Sequence, residues 1–380
     1  MQTDFACNDR ESWLLLWRVP GVGAATFHKL LRFFQTPRRA LCASTQELAR
    51  CGFEPSLIES IRNADAACSA PDLAWLGASG RSLICLDDAR YPARLREISV
   101  APPLLFVEGD PQCLQQPQIA IVGSRSASRS GADLAFELAY DLAERGVAIT
   151  SGLAHGIDAQ AHRGCLAAGQ ATVAVMGTGA DSIYPRAHRK LAAEVAANGA
   201  LVTEFFVGCD LRPENFPQRN RIISGLALGV VVVEAAAASG SLITARLAAD
   251  QGREVFAMPG SVRNPLARGC HGLIKQGAKL VESIEDILEE FPPSTLLSNG
   301  KVNSVQSGAE QIPVTANELT AEQALTLRNM GYDPVSVDTL VTRTGLTASA
   351  LSSILLALEI NGRVAPHAGG MFMRMGSETG

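Results

Sequence analysis

Ile119-Ala120-Ile121-Val122-Gly123-Ser124-Arg125 is the stretch on which the fold turns. Its first four residues are apolar and mostly β-branched, which predicts a strand buried on both faces. Gly123 stops the strand, and a helical pattern follows from about Ser130 to Arg145. The same order recurs downstream. Val147-Ala148-Ile149 leads to Ser151-Gly152 and a helix opening near Asp158, and Thr172 to Met176 leads to Gly177-Thr178-Gly179 and a helix over about 187–197. Leu201-Val202-Thr203 precedes a long loop marked by glycine and proline, then a helix from about Asn220 to Leu228. Val230 to Val233 leads to Gly240-Ser241, a helix over 242–251 and the strand Glu254 to Ala257. Apolar strands alternating with amphipathic helices predict an α/β core, a mostly parallel sheet covered on both faces. Ligands of such sheets sit beyond the carboxyl ends of the strands. Val231 and Val233 are expected inside the central sheet.

Outward from that core, residues 1–70 read as a small helical domain. Trp13 to Trp17, then Phe27, Leu30, Leu31 and Phe34, recur at spacings of three and four, with Val19-Pro20-Gly21-Val22-Gly23 as the break and a restart at Ala24. A poorer pair of helices is expected around 41–50 and 55–64. The two glycines flanking Val22 resemble the turn of a helix-hairpin-helix, which either offers backbone N–H groups to a phosphate or simply turns the chain. Residues 81–116 read as an extended connecting stretch with short strands at 83–86 and 104–107, punctuated by prolines at 92, 102 and 103. The core is expected over 81–290, with an acidic solvated helix at 282–290. A linker is expected over 291–311 and a winged helix over 312–380, with helices near 316–330, 337–343 and 348–360 and a closing hairpin. The third of those helices, Ala348 to Glu359, contains no Arg, Lys, Asn or Gln. The side chains that read base edges are therefore missing, and protein contact or structural packing is the expected role.

Length and composition set outer bounds. At 380 residues and 47% hydrophobic content the chain is long enough for two or three globular domains. The opening residues lack a signal peptide, and no run is long and apolar enough for a membrane span. Nine scattered cysteines without a CxxC pair point to a reducing cytoplasm and away from a zinc site. A net charge of −5 announces no overall positive field, so any bound anion must be held by a local site.

That site is expected at the strand ends. Gly123-Ser124-Arg125 combines a glycine turn, hydroxyl and N–H donors, and a planar permanent charge. Ser151-Gly152 repeats the turn, with Asp158 as an N-cap, and Gly177-Thr178-Gly179 repeats it again. Arg219-Asn220-Arg221 is expected to open a helix, where backbone donors and two guanidiniums coincide; one of the two arginines is expected to pair with Glu204, Asp210 or Glu214. His155 and His162 have no partner at metal spacing, so no metal ligand or cofactor is expected. No GxxxxGK[ST] or GxSxG motif is present, and Gly177-Thr178-Gly179-Ala180-Asp181-Ser182 lacks the third glycine of a dinucleotide fingerprint.

With Tyr184-Pro185, Phe216-Pro217-Gln218-Arg219-Asn220-Arg221-Ile222-Ile223, Glu234-Ala235, Ser239-Gly240-Ser241-Leu242-Ile243-Thr244-Ala245, Pro259-Gly260 and Gly269-Cys270-His271-Gly272 added, the chain resembles the DprA or Smf family of DNA-processing proteins over about residues 81–282. His188 stands where the family often has asparagine. The resemblance implies a single-stranded DNA-binding, Rossmann-like core in a homodimer, and no enzyme. It implies a role in natural transformation: protecting incoming strands and loading the RecA recombinase onto DNA coated by single-strand-binding protein. The helical domain then resembles the family's SAM-like or helix-hairpin-helix domain. The expected DNA-binding set is Gly123, Ser124, Arg125, Ser151, Gly152, Gly177, Gly179, Arg189, Lys190, Arg219, Asn220, Arg221, Ser239, Gly240 and Ser241. Two rival expectations are a phosphoribohydrolase-like enzyme, disfavoured because its double-glycine signature is missing after Val233, and a protein scaffold that recruits a recombinase with incidental DNA contact.

Overall fold

Alternate residues of each central strand feed two different cores, and this dictates the layers. In the computed structural model, which describes residues 9–296, 319–330, 334–367 and 369–375, Ile119 and Ile121 pack on one side with Val231, Val233 and the helices Arg129–Glu144 and Ile157–Ala167. Ala120 and Val122 face the other side with Val230, Val232 and the helices Asn215–Leu226 and Ser241–Asp250. Val231 and Val233 are 0% and 1% exposed, as a doubly covered sheet requires.

The strands are β1 (Arg81–Cys85), β2 (Leu104–Gly109), β3 (Gln118–Val122), β4 (Ala148–Ser151), β5 (Thr172–Val175), β6 (Ala200–Thr203), β7 (Gly229–Val232), β8 (Glu254–Ala257) and β9 (Lys279–Leu280). Their order across the sheet is β1-β2-β6-β5-β4-β3-β7-β8-β9. From β6 to β9 all pairings are parallel, whereas β1–β2 and β2–β6 are antiparallel. The chain therefore runs outward from β3 to β6, then crosses back to place β7 on the other side of β3. That reversal makes the carboxyl ends of β3 and β7 the topological switch point, where a crevice opens.

The stretch 81–116 is not a mere connection. Ile84, Leu105 and Val107 join the main core while Leu83, Cys85, Leu104 and Phe106 face the helical domain, so β1 and β2 extend the sheet. Both strands were expected from their apolar runs; their pairing with each other and with β6 joins residues distant along the chain. The helical domain, with helices Asp9–Arg18, Ala24–Phe34, Pro37–Cys42, Thr45–Arg50 and Pro55–Arg62 among its elements, packs on this extension through Trp13, Trp17, Phe27 and Trp75. Trp17 Nε1 donates to the Glu204 carbonyl at 2.8 Å, and Arg18 joins the Asp72 carboxylate and the Val207 carbonyl.

Two helices differ from expectation. The helix placed at 220–228 begins at Asn215, because Pro217 fits a first turn, whose N–H groups lack partners anyway. The acidic helix of 282–290 is a single turn, Glu285–Leu288; Asp286 accepts from the N–H groups of Glu282 and Ser283, and Lys279 pairs with Glu289 and Glu290.

The second unit contains the helices Ala321–Met330, Val337–Thr344 and Ala348–Ile360 with β10 (Val335–Ser336), β11 (Val364–His367) and β12 (Met371–Arg374) in the antiparallel order β10-β12-β11. Leu327, Leu340, Leu351, Leu355, Leu358 and Val364 form its core. The expected linker falls outside the described residues from residue 297 onward, as does the start of the helix expected near 316. No helix among the described residues is by itself long and apolar enough to cross a membrane.

Candidate nucleic-acid interface

The turn after β3 is shaped by close approach. A Cβ on Gly123 would lie 2.6 Å from both Ile157 Cγ1 and the Val233 carbonyl, so only glycine lets β3 pass between its neighbours. Ser124 N then donates to the Glu234 carbonyl at 2.8 Å. Ser128 caps the helix Arg129–Glu144 by accepting from Gly131 N, while its own N–H and hydroxyl donate to the Glu234 carboxylate at 2.8 and 2.5 Å. Glu234 holds this geometry at a positive φ of 53°. Its structural role was invisible in the sequence, where only its place in a family motif marked it.

The turn after β4 is built around a buried charge. Asp158 accepts from the N–H groups of Gly152 and Ala154 at 3.1 and 3.3 Å. It lies inside the helix Ile157–Ala167, whose N-cap is Gly156, so it ties down the loop and is not the N-cap. Arg219, 4% exposed, donates through Nη1 to the carbonyls of Gly152 and Val175, and its Nε is buried without a partner. Burial pulls the Arg219 guanidinium down to about 10, and the Asp158 charge works against that fall. Burial likewise pushes the Asp158 carboxyl up, with Arg219 opposing.

Above this floor a cavity of about 540 Å³ opens at the switch point. Gly123, Ser124, Arg125, Arg219, Asn220, Ser239, Gly240 and Ser241 all line it, together with Asp158 and Phe216. Arg125 is exposed, makes no ion pair among the described residues, and has its guanidinium carbon 5.7 Å from the centre of the Phe216 ring. The Ser239 and Ser241 hydroxyls are 2.7 Å apart where the helix Ser241–Asp250 begins. Two guanidiniums, one carboxylate, hydroxyls and a helix start make a cavity suited to an anion.

The remaining expected residues lie elsewhere. Arg221 points away and forms a two-pronged pair with Glu204, both contacts 2.6 Å, while its Nε donates to the Val100 carbonyl. The Ser151 hydroxyl is buried on the Ile121 carbonyl at 2.6 Å. Gly152 supports Arg219 from beneath and does not line the cavity. Gly177 abuts the Phe216 ring, and Gly179 abuts the Phe206 carbonyl. Arg189 and Lys190 are exposed off the cavity, with Lys190 3.9 Å from Glu194. His162 is wholly buried on the Thr172 hydroxyl, and His155 stacks edgewise on His188; among the described residues no side-chain cluster could hold a metal ion.

Comparison with known proteins finds three family domains along the chain. Residues 82–292 match the family model of DNA recombination-mediator protein A. Residues 8–70 match a DprA-like N-terminal HHH domain, and residues 310–370 a DprA winged helix domain. Protein Smf of Escherichia coli (strain K12) is 44% identical over 301 residues, covering 78% of this chain and 79% of the relative. The X-ray structure of DNA processing protein A from Streptococcus pneumoniae matches with a TM-score of 0.66 at 36% identity, covering 74% of this chain and 98% of that one. A structure of DNA processing protein A from Helicobacter pylori, reported for its single-stranded DNA binding mode, matches with a TM-score of 0.51 at 27% identity over 55% of this chain and 94% of that one.

Proposed function

The chain belongs to the DNA recombination-mediator protein A family, also called DprA or Smf, and from that premise we propose that it binds single-stranded DNA through its sugar–phosphate backbone in the cavity beyond β3, β4 and β7. The observation that carries this reading is the meeting of Arg125 and Arg219 with the glycine-serine turns in one cavity. A phosphate entering it meets the free fork of Arg125 first. Arg219 contributes fixed positive charge from below, the hydroxyls of Ser124, Ser239 and Ser241 and the amide of Asn220 supply neutral donors, and Asp158 keeps the floor in place. Contacts to phosphates position a strand without reading its sequence, so binding is sequence-tolerant and weakens with salt.

The cavity serves binding and not catalysis in this reading. Its carboxylate, Asp158, is committed to two loop N–H groups, and the Ser239 and Ser241 hydroxyls are bonded to each other. Family membership supports the wider assignment: a homodimer that protects incoming single strands in natural transformation, in the cytoplasm, with RecA and single-strand-binding protein as partners. Two cavities on one strand raise avidity through effective concentration.

The test is a mobility-shift titration of oligo(dT) with the intact protein and its Arg125→Glu variant at two salt concentrations. Loss of a charge-assisted contact is worth about 1.5–3 kcal/mol, tenfold or more in affinity. Unchanged affinity would leave the scaffold reading in its place, and release of free base from nucleoside monophosphates would revive the enzyme.

A further inference from the structure

The helical domain carries a concentration of positive charge that the cavity does not use. Residues 24–53 hold five basic side chains and one acidic one, in a chain whose remaining residues hold 28 and 37. Lys29, Arg32 and Phe33 lie on the exposed face of the helix Ala24–Phe34, opposite Phe27 and Leu30 in the core. Arg38 and Arg39 stand exposed on the helix Pro37–Cys42, with Arg39 donating back to Gln35 at 3.0 Å, and Arg50 ends the helix that leads into the Gly52 turn. None of the five cations makes an ion pair within 4.0 Å among the described residues. The one acid, Glu47, is turned onto the N–H and hydroxyl of Ser44 in a capping box.

An aromatic ring sits among these charges. Phe33 is 54% exposed, with its ring held edge-on to Phe53 at 6.4 Å. Phe53 is fixed in turn by the Lys29 ammonium, 4.5 Å from its ring centre and bonded to the Gly52 carbonyl at 3.0 Å. Unpaired cations around a braced, exposed ring combine backbone neutralisation with a stacking platform. A duplex keeps its base faces covered and gains nothing from the ring.

We propose that this face, centred on Arg32 and Phe33, is a second contact for single-stranded nucleic acid, outside the cavity. It takes phosphates on Arg32, Arg38 and Arg39 and a base on Phe33. The proposal rests on single-stranded DNA being the ligand and is independent of the cavity's role. A strand long enough to touch both places is held by both.

The experiment compares the full chain with two variants, Arg32→Glu/Phe33→Ala and Arg38→Glu/Arg39→Glu, using labelled oligo(dT) of about 6 and about 40 nucleotides and a duplex of the longer length. These side chains are exposed, and an unchanged thermal midpoint verifies the fold. The short oligomer is expected to bind the variants as it binds the parent. The long one is expected to lose about tenfold in affinity, with a salt slope shallower by about one unit in each variant. Parental affinity and slope for the long strand in both variants, or an equal loss for the duplex, would overturn the proposal. Arg125→Glu separates the two sites: if it leaves the short oligomer's affinity unchanged while the surface variants weaken the long strand, the cavity reading falls and this one stands.

Discussion

Gly152 illustrates how tightly the floor of the cavity is specified at the level of one residue. A Cβ there would lie 2.6 Å from Arg219 Nη1, within a group that already donates to the Gly152 carbonyl. Gly152→Ala must push the guanidinium off its carbonyls; oligo(dT) affinity is expected to fall by about tenfold, the scale of one charge-assisted bond, in the same mobility-shift titration. His162 makes a different kind of prediction. Its Nδ1 donates to Thr172 Oγ1, whose own proton goes to the Ile149 carbonyl, which leaves Nε2 buried and unprotonated. Burial, with the nearby charges of His188, Arg219 and Arg163, pulls its pKa down to about 3 from 6.5. The folded protein therefore binds fewer protons here than the unfolded chain. The stability is fully present above pH 6.5 and is lost as pH falls toward 3, by about 2 kcal/mol at pH 5. Urea titrations at pH 8 and pH 5 should show this loss, and His162→Gln should flatten it.

At the level of the element, the helix Asn215–Leu226 decides which arginine lines the cavity. Successive residues of an α-helix are about 100° apart, so Arg219 and Arg221 project about 200° from each other. Had the helix opened at Asn220, as the sequence suggested, both could have reached the same anion. Because it opens at Asn215, Arg219 lies under the sheet's carboxyl edge and Arg221 faces Glu204 and Val100. Glu204 is 0% exposed, and removing its partner strands a buried charge. Arg221→Met is expected to cost about 3–5 kcal/mol of stability, read by urea denaturation. Its affinity for a short oligo(dT), measured where the variant is fully folded, should match the parent's. The reverse pattern, intact stability with lost binding, would return Arg221 to the cavity.

Across the whole molecule, charge is sorted by place and not by total. A net −5 chain holds positive charge in the cavity and on the helical domain, and this sorting disfavours indiscriminate duplex binding while leaving local anion sites attractive. The helical domain is joined to the sheet by a shared core and by Asp72, which is wholly buried and accepts from Arg18 and from Val207 N. Trp13, Trp17 and Trp75 all lie in that shared core, so tryptophan fluorescence and far-UV circular dichroism should report one coincident unfolding transition for the domain and the sheet. Asp72→Ala should shift both together by about 3 kcal/mol; separate midpoints would show that the domain folds alone. The parallel sheet and its glycine-serine corners are legible from residue order alone, because runs of Ile and Val between helical periods leave a chain few other ways to bury them. Packing places Arg219 beneath the cavity while Arg221 turns to Glu204, spends the Ser151 hydroxyl on Ile121, and pairs β1 and β2 into the sheet. Those outcomes depend on helix phase and on partners distant along the chain, which residue type and local spacing do not encode.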